Sequence, residues 1–217
     1  MVTKLLNLLF PPKCPFCRRL LEEGQALLCP DCQRDLPWTR GGEGECKGEF
    51  FTACAAPLWY RDLVRESHHR YKFSGVRAYA TPYAALMEQC VHDRLEGGFD
   101  VVAWVPISRR RLHSRGYDQA RLLAERLADR LDLPSRKLLK KIRHNTPQSG
   151  LSGDSVRRAN VLGAYAMEPR VQVAGQRVLL VDDVMTTGAT LSECARVLRT
   201  AGAAEVVCVT LAVAGTK

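Results

Sequence analysis

The sequence has no hydrophobic run long enough to cross a membrane. Its longest apolar runs, at residues 101–107 and 206–214, are well short of the roughly 20 residues that a transmembrane helix requires. The N-terminal run at residues 5–10 is also too short for the core of a signal peptide. No period of about 20 to 50 residues indicates a repeat protein. These absences predict a soluble protein of the cytoplasm, without membrane insertion.

Acidic residues are in the minority. The 217 residues include 32 Lys and Arg against 23 Asp and Glu, which gives a formal net charge of +9. With 46% hydrophobic and 25% charged residues, the composition is otherwise that of an ordinary globular protein. The excess of basic residues suits phosphate groups, either on a small ligand or along a nucleic acid. Charge alone does not choose between these partners, and it is equally compatible with a role in solubility.

Cysteines are concentrated near the N-terminus, where six of the nine occur in the first quarter of the chain. Four of them form two Cys-x2-Cys pairs separated by eleven residues. Each pair lets two thiolates reach one ion through a tight turn, and two pairs complete a tetrahedral shell of four sulfurs. Because that shell leaves no position for water, we predict a structural zinc site with four ligands: Cys14, Cys17, Cys29 and Cys32.

Other interpretations of the cysteines have less support. Without an export signal, a disulfide framework is not expected. A thioredoxin-like redox motif would need a preceding strand, whereas Pro11 and Pro12 precede Cys14. Cys46 and Cys54 have no Cys-x2-Cys partners, so a complete second zinc site is not predicted. The remaining cysteines have apolar neighbours and are predicted to be small core residues: Cys90, Cys194 and Cys208.

From about residue 59 onward, amphipathic stretches alternate with short apolar runs. The spacing predicts helices at residues 63–72, 83–95, 119–131 and 191–200. Apolar runs at residues 101–105, 178–181 and 206–212 predict buried strands. This alternation predicts an α/β fold, a doubly wound and mostly parallel sheet with helices on both faces. We therefore expect a zinc-binding module at residues 1–56 and an α/β domain at residues 57–217.

The most informative segment is residues 178–190. An apolar strand ends at Asp182 and Asp183, and a short loop then opens a helix. Free N–H groups at a helix N-terminus bind anions, and glycine lets the backbone approach a phosphate closely. Because carboxylates repel phosphate, the two acids indicate a ligand that also carries vicinal hydroxyls or Mg2+. The simpler alternative is a strand followed by an Asp-capped helix.

This segment resembles the ribose-phosphate signature of the type I phosphoribosyltransferases, without a gap. By that resemblance, Asp182 and Asp183 hold the ribose hydroxyls of phosphoribosyl pyrophosphate with its Mg2+. The resemblance also implies which residues bind the 5-phosphate: Thr186, Thr187, Gly188, Ala189 and Thr190.

Further phrases narrow the resemblance to one family. Tyr71-Lys72-Phe73-Ser74-Gly75, the segment 115–120 and the segment 148–151 occur in that order after the cysteine pairs. The chain is identified on these phrases as a member of the ComF family, which joins a zinc finger to a phosphoribosyltransferase domain. The resemblance covers about residues 8–213. It implies a type I phosphoribosyltransferase-like domain at residues 57–217.

Basic residues near the predicted strand ends are candidates for binding pyrophosphate. The basic loop at residues 108–111 directly follows a predicted strand, where a type I enzyme holds pyrophosphate. For any single arginine, a solvated surface position is the simpler alternative. As a group, the predicted pyrophosphate ligands are Lys72, Arg109, Arg110 and Arg115. The predicted catalytic residues are Asp182, Asp183 and Arg109.

Two further expectations concern the middle of the chain. Residues 143–153 are polar and rich in turn formers, and they resemble the flexible loop that closes over substrate in type I enzymes. The five histidines form no triad with a serine and no metal-binding spacing, so we interpret them as surface or core residues.

Several functions are compatible with these features. An enzyme would catalyse attack of a nitrogen nucleophile on the anomeric carbon, with Mg-pyrophosphate leaving and with an acceptor that the sequence does not identify. A non-catalytic module would instead sense the ligand or bind single-stranded DNA with the same fold. The family resemblance implies a link to natural competence, DNA uptake and the use of nucleic-acid-derived material. It also implies partners such as a helicase among other competence proteins.

Overall fold

The computed structural model describes residues 11–22, 27–143 and 161–215. The helices within these ranges are α1 (Pro30–Asp35), α2 (Asp62–Phe73), α3 (Ala80–Arg94), α4 (Arg109–Arg115), α5 (Gln119–Leu131) and α6 (Ala189–Thr200), with a 3-10 turn at Arg77–Tyr79. The strands are β1 (Ala53–Ala55), β2 (Leu58–Trp59), β3 (Val101–Trp104), β4 (Leu139–Lys141), β5 (Tyr165–Met167), β6 (Arg177–Met185) and β7 (Glu205–Val213).

One parallel sheet forms the centre of the molecule. Its strands lie in the order β1–β7–β6–β3, and β2 continues the edge beside β7 after β1. In the register of the two long strands, Val178 lies opposite Val206 and Val181 lies opposite Val209. β4 and β5 form a separate antiparallel pair. The predicted α/β class with a mainly parallel sheet is therefore confirmed.

Alternating side chains of β6 divide the core into two layers. Leu179 and Val181 pack with one hydrophobic cluster, which includes Leu123 and Leu127 of α5. Val178 and Leu180 of the same strand pack with the other cluster, on the side of α6 and β5. Because side chains alternate along a strand, a continuous apolar run satisfies both faces at once. Helices cover both faces of the sheet, as predicted.

Most predicted helices and strands match the structure, but the predictions for the end of β6 and for the basic segment at residues 108–111 differ from it. α5 matches the predicted helix at residues 119–131, whereas α6 begins two residues earlier than predicted. β6 continues past Val181 to Met185, so both aspartates lie within the strand and not after it. The predicted basic loop is helical, since α4 begins directly at Arg109. Ser108 favours this helix because its hydroxyl accepts a hydrogen bond from the N–H of Arg111, at 3.4 Å.

The N-terminal module is continuous with the edge of the sheet. Cys46 and Cys54 exchange backbone hydrogen bonds, and Cys54 lies opposite Cys208 of β7. The predicted domain boundary falls between β1 and β2, which share this edge, and it stays a prediction. The expectation that three isolated cysteines are core residues is confirmed by their burial: Cys90, Cys194 and Cys208. None of the helices in the described part of the chain is long and apolar enough to cross a bilayer.

Candidate functional site

Asp183 is the centre of a buried polar cluster near the end of β6. The residue is only 5% exposed. Its Oδ2 atom lies 3.2 Å from Nζ of Lys72 and 3.1 Å from Nε2 of His68. Nε2 of Gln119 also donates to Oδ2, at 3.2 Å. Three nitrogen atoms from two helices therefore converge on one carboxylate oxygen.

The two helices place these groups for simple geometric reasons. His68 and Lys72 are four residues apart in α2, so they lie on the same face one turn from each other. Gln119 is the first residue of α5. The hydroxyl of Tyr71 donates to the carbonyl of Gln119 at 2.8 Å, which links the two helices directly. On its other side, Nδ1 of His68 lies 3.1 Å from the hydroxyl of Tyr60.

The two adjacent aspartates have opposite electrostatic environments. Burial by itself would raise the pKa of Asp183, but the ammonium of Lys72 and the contact with His68 outweigh it and hold that pKa well below its ordinary value. Burial and the nearby charge of Asp183 raise the pKa of Asp182 well above its ordinary value. The pair therefore combines one firmly ionised carboxylate with one that tends to keep its proton until a cation approaches.

The predicted phosphate loop lies between β6 and α6. Gly188 adopts a left-handed φ of 72° as the residue before the helix, a conformation that glycine reaches without strain. Among the described residues, no side chain caps this helix. Its first backbone N–H groups are therefore free of a side-chain acceptor, as an anion-binding helix start requires.

A cavity of about 480 Å³ adjoins this loop. The residues at 186–189 form part of its wall, together with the ends of β6 and β7. The lining also includes residues 44–51 of the N-terminal region and Trp59. Of the predicted loop residues, the structure places four in the wall of this cavity: Thr186, Thr187, Gly188 and Ala189. Thr190 lies in the first turn of α6.

The predicted arginines occupy two different environments. Arg109 and Arg110 are exposed on α4, and among the described residues no ion pair connects them to either aspartate. The guanidinium of Arg115 is half-buried and lies 5.0 Å from the ring centre of Phe73. Burial and the charge of Arg111 lower the pKa of Arg115, while Asp183 acts in the opposite direction. Arg115 is therefore partly withdrawn from solvent, whereas Arg109 and Arg110 are exposed.

The four predicted zinc ligands also come together. The sulfur atoms of Cys14, Cys17, Cys29 and Cys32 all lie within 4.8 Å of one another. Zinc–sulfur bonds of about 2.3 Å in a tetrahedron put sulfurs roughly 3.8 Å apart, so the cluster fits one Zn2+ ion. Cys29 immediately precedes α1, whose first residue is Pro30. Pro30 suits this position because it has no N–H to leave unsatisfied.

Two family models match different parts of the chain. A double zinc ribbon domain matches residues 5–62, and a phosphoribosyl transferase domain matches residues 118–217. Competence protein F of Haemophilus influenzae is 30% identical over 216 residues, with 89% of this chain and 93% of that protein covered. The chain belongs to the ComF family. The predicted resemblance is thereby confirmed, as are the zinc ribbon and the phosphoribosyltransferase-like fold.

Another relative of this ComF-family protein has a name that refers to DNA. The DNA utilization protein YhgH of Escherichia coli O157:H7 is 29% identical, with 89% of this chain and 86% of that protein covered. Among solved structures, the glutamine phosphoribosylpyrophosphate amidotransferase of B. subtilis is 23% identical with a TM-score of 0.44. That likeness covers 65% of this chain and 30% of the amidotransferase.

Two residues of the Asp183 cluster in this ComF-family protein were missed by the sequence analysis. His68 was interpreted only as a surface or core residue, and Gln119 was named only within the family phrase at 115–120 and as the start of a predicted helix. The spacing of His68 and Lys72 in one helix was a usable signal, because it puts both on the same face. No local pattern indicated Gln119, which reaches Asp183 only through the packing of α5 on the sheet. The predicted flexible loop at 143–153 lies, apart from Arg143, outside the described residues.

Proposed function

We propose that this ComF-family protein binds phosphoribosyl pyrophosphate with Mg2+ and acts as a phosphoribosyltransferase-like protein in the use of incoming DNA or its breakdown products. The observation that carries the proposal is the Asp183 cluster, where Lys72, His68 and Gln119 fix one carboxylate directly before the loop at residues 186–190. The family match supports the same assignment.

The aspartate pair suits a ribose diol and a divalent cation. Asp183 is ionised and anchored through Oδ2, so Oδ1 is turned toward the backbone N–H of Val184, which donates to it at 2.8 Å. The raised pKa of Asp182 means that this carboxyl gains most from an approaching cation. Oxygen ligands of this kind are the ones Mg2+ prefers. When bound, Mg2+ would neutralise the charge of the leaving pyrophosphate.

Cationic side chains supply the second part of the proposed site. Lys72 lies 3.2 Å from the Asp183 carboxylate, and the charge of Asp183 raises the pKa of the half-buried Arg115 against the effect of its burial. In the proposed transfer, the acceptor nitrogen forms a bond to the anomeric carbon while the bond from that carbon to the pyrophosphate oxygen breaks. Both electrons of the broken bond leave with pyrophosphate, and the acceptor nitrogen loses a proton. Positive groups fixed in advance near the leaving oxygens would stabilise this charge movement.

The phosphate loop supplies the third part. The N–H groups at the start of α6 have no side-chain acceptor among the described residues, and Thr186 and Thr187 add hydroxyl donors. A 5-phosphate in this position would lie at the carboxyl end of β6, where open α/β sheets bind their ligands. The proposed ligand site therefore combines the Asp183 cluster with the loop that follows it in the chain.

Calorimetric titration of the full chain with phosphoribosyl pyrophosphate and Mg2+ tests the proposal. We expect binding by the unmodified protein, and a loss of at least about a hundredfold for the Asp182→Asn/Asp183→Asn double variant, because the amides hold neither the cation nor the diol well. Asp132→Asn is the matched control, since Asp132 lies outside the site at the end of α5 with a left-handed φ of 53° that Asn tolerates. Equal affinity of the double variant and the control would contradict the proposed site.

One observation favours a non-catalytic alternative, a module that senses the ligand or binds single-stranded DNA. Arg109, Arg110 and Arg111 are all exposed on α4, where their charges are available to a phosphate backbone. Measurement of pyrophosphate release with a panel of nitrogen acceptors distinguishes the two functions. Release with one acceptor would establish the enzyme, whereas ligand binding without release from any acceptor would favour the sensing module.

A further inference from the structure

Helix α2 contacts the zinc-binding cysteine pair and the Asp183 cluster at the same time. Ser67 donates a hydrogen bond from Oγ to the carbonyl of Pro15, at 2.5 Å. One amino group of Arg70 donates to the carbonyl of Pro15 at 3.1 Å and to that of Phe16 at 2.6 Å. Pro15 and Phe16 are the two residues between Cys14 and Cys17. The helix therefore binds the backbone of the turn that carries two of the zinc ligands.

The contact between α2 and the cysteine turn is buried and closely packed. Phe16 is 1% exposed, and its ring centre lies 5.7 Å from that of Tyr83 in α3. The hydroxyl of Tyr83 lies 2.5 Å from Oγ of Ser67. Ser67 and Tyr83 are both fully buried. Because buried polar groups lose free energy when their partners leave, this junction has one strongly preferred arrangement.

The groups that hold Asp183 alternate along the same helix with those that hold the cysteine turn. His68 follows Ser67, and Lys72 follows Arg70 by two positions. A helix rises about 1.5 Å per residue, so the contacts from Ser67 to Lys72 span only about 7.5 Å of a stiff rod. A movement of the helix relative to the cysteine turn must therefore move Lys72 and His68 relative to Asp183.

We infer that Ser67 and Arg70 are positioning residues, through which the zinc-bound cysteine turn sets the places of Lys72 and His68 against Asp183. Zinc occupancy then controls the affinity of the ligand site, although no zinc ligand touches it. Zinc binding fixes the turn between Cys14 and Cys17, and with it the two carbonyl groups that accept from α2. The effect on ligand affinity rests on the proposed function, whereas the effect on α2 itself does not.

The first experiment compares zinc-loaded full-length proteins. Arg70→Ala removes the two guanidinium hydrogen bonds to the cysteine turn and the ion pair with Glu66, while the hydrogen bond from Ser67, the zinc ligands and the Asp183 cluster stay in place. Arg65→Ala is the matched control, an exposed arginine of the same helix, and Arg70→Lys tests rescue by a conservative change. For each protein we measure zinc content, circular dichroism, hydrogen–deuterium exchange of residues 67–73 and affinity for phosphoribosyl pyrophosphate with Mg2+.

We expect Arg70→Ala to keep its zinc and its fold. The exchange of residues 67–73 should become faster, and ligand affinity should fall between about twofold and thirtyfold. Arg70→Lys should restore part of both effects, and Arg65→Ala should change neither. Unchanged exchange and affinity in a zinc-loaded Arg70→Ala protein would overturn the inference, and so would equal effects of Arg70→Ala and Arg65→Ala.

A second experiment removes zinc from the unmodified protein and from Arg70→Ala with a chelator. In the unmodified protein, removal of zinc should speed hydrogen–deuterium exchange in α2 and weaken ligand binding. If zinc acts through Arg70, both effects should be much smaller in Arg70→Ala. Independent, additive losses would overturn the inference. If the stripped protein unfolds, the zinc-loaded comparison decides alone. If the unmodified, zinc-loaded protein binds no phosphoribosyl pyrophosphate, the proposed function fails while the exchange data still test the coupling.

Discussion

The zinc site and the Asp183 cluster are assembled from the chain in different ways. All four sulfurs come from residues 14–32, and each pair is separated by only two residues. The groups around Asp183 come from α2, α5 and β6, which are far apart in the sequence. Local spacing can therefore specify the zinc site, whereas the carboxylate cluster exists only after the helices have packed on the sheet.

The two sites should also respond differently to damage. A tetrahedral zinc site needs every ligand, and its binding free energy is part of the folding free energy of the module. In the proposed ligand site, side chains and several backbone N–H groups contribute to ligand binding, so the loss of one group leaves the others in place. Loss of any one zinc ligand should therefore cause a large loss of stability. Loss of one group in the ligand site should lower ligand affinity only partly.

The largest effect is expected for Cys29→Ser. A serine hydroxyl is a poor zinc ligand, so we expect the protein to lose its metal and at least about 3 kcal/mol of stability. Zinc content and thermal unfolding measure both losses. Cys46→Ser is the control, since Cys46 lies outside the four-sulfur cluster and its variant should keep a full equivalent of zinc. Normal zinc content in Cys29→Ser would contradict the claim that the zinc site, unlike the ligand site, needs every one of its ligands.

A smaller effect is expected on the affinity for single-stranded DNA. The experiment tests whether DNA contacts α4 or another face, such as the zinc module. If single-stranded DNA binds along α4, the Arg109→Ala/Arg110→Ala/Arg111→Ala variant should bind more weakly. The slope of log affinity against log salt should become shallower by about 2, because roughly 0.7 of a counterion is released per phosphate contact. Titrations at several salt concentrations measure the slope, with Arg126→Ala as a control on an exposed arginine of α5.

Two outcomes of the DNA titration would change the assignment. An equal slope in the triple variant would move DNA binding to another face, such as the zinc module. No affinity of the unmodified protein even near 50 mM salt, a concentration at which phosphate contacts bind strongly, would make a small-molecule enzyme the better interpretation. Base stacking on Trp104 and Tyr117 should contribute little in either case, because both side chains are buried.

The smallest effect is expected for Thr187→Val. This change removes one hydroxyl while the backbone N–H groups of the loop remain, so affinity for phosphoribosyl pyrophosphate should fall by only about 1 kcal/mol, roughly fivefold. Calorimetry compares it with Thr200→Val at the exposed end of α6. A loss as large as that of the aspartate double variant would show that this loop, too, depends on a single group.

The sequence by itself determined the elements whose signal is local. Two Cys-x2-Cys pairs predicted the four-sulfur cluster, and the leucine spacing at residues 119–131 predicted the bounds of α5. Apolar runs predicted β3, β6 and β7, because a strand buried on both faces has no polar positions to interrupt it. The segment 178–190 was enough to indicate a type I phosphoribosyltransferase-like domain, and the further phrases indicated the ComF family. Periodicity and ligand spacing depend on residues that are close together in the sequence, so they can be recognised without the tertiary structure.

Only the tertiary structure decided what surrounds Asp183 and how the two sites are joined. His68 and Gln119 have ordinary local surroundings in the sequence, and they reach the carboxylate because α2 and α5 pack together. Burial and the charge of Asp183 raise the pKa of Asp182, whereas Lys72 and His68 of α2 hold the pKa of Asp183 low, although the two residues are neighbours of the same type. The contact of Arg70 with the turn between Cys14 and Cys17 arises in the same way. Burial and long-range contact set these properties, and neither is encoded in the spacing of residues along the chain.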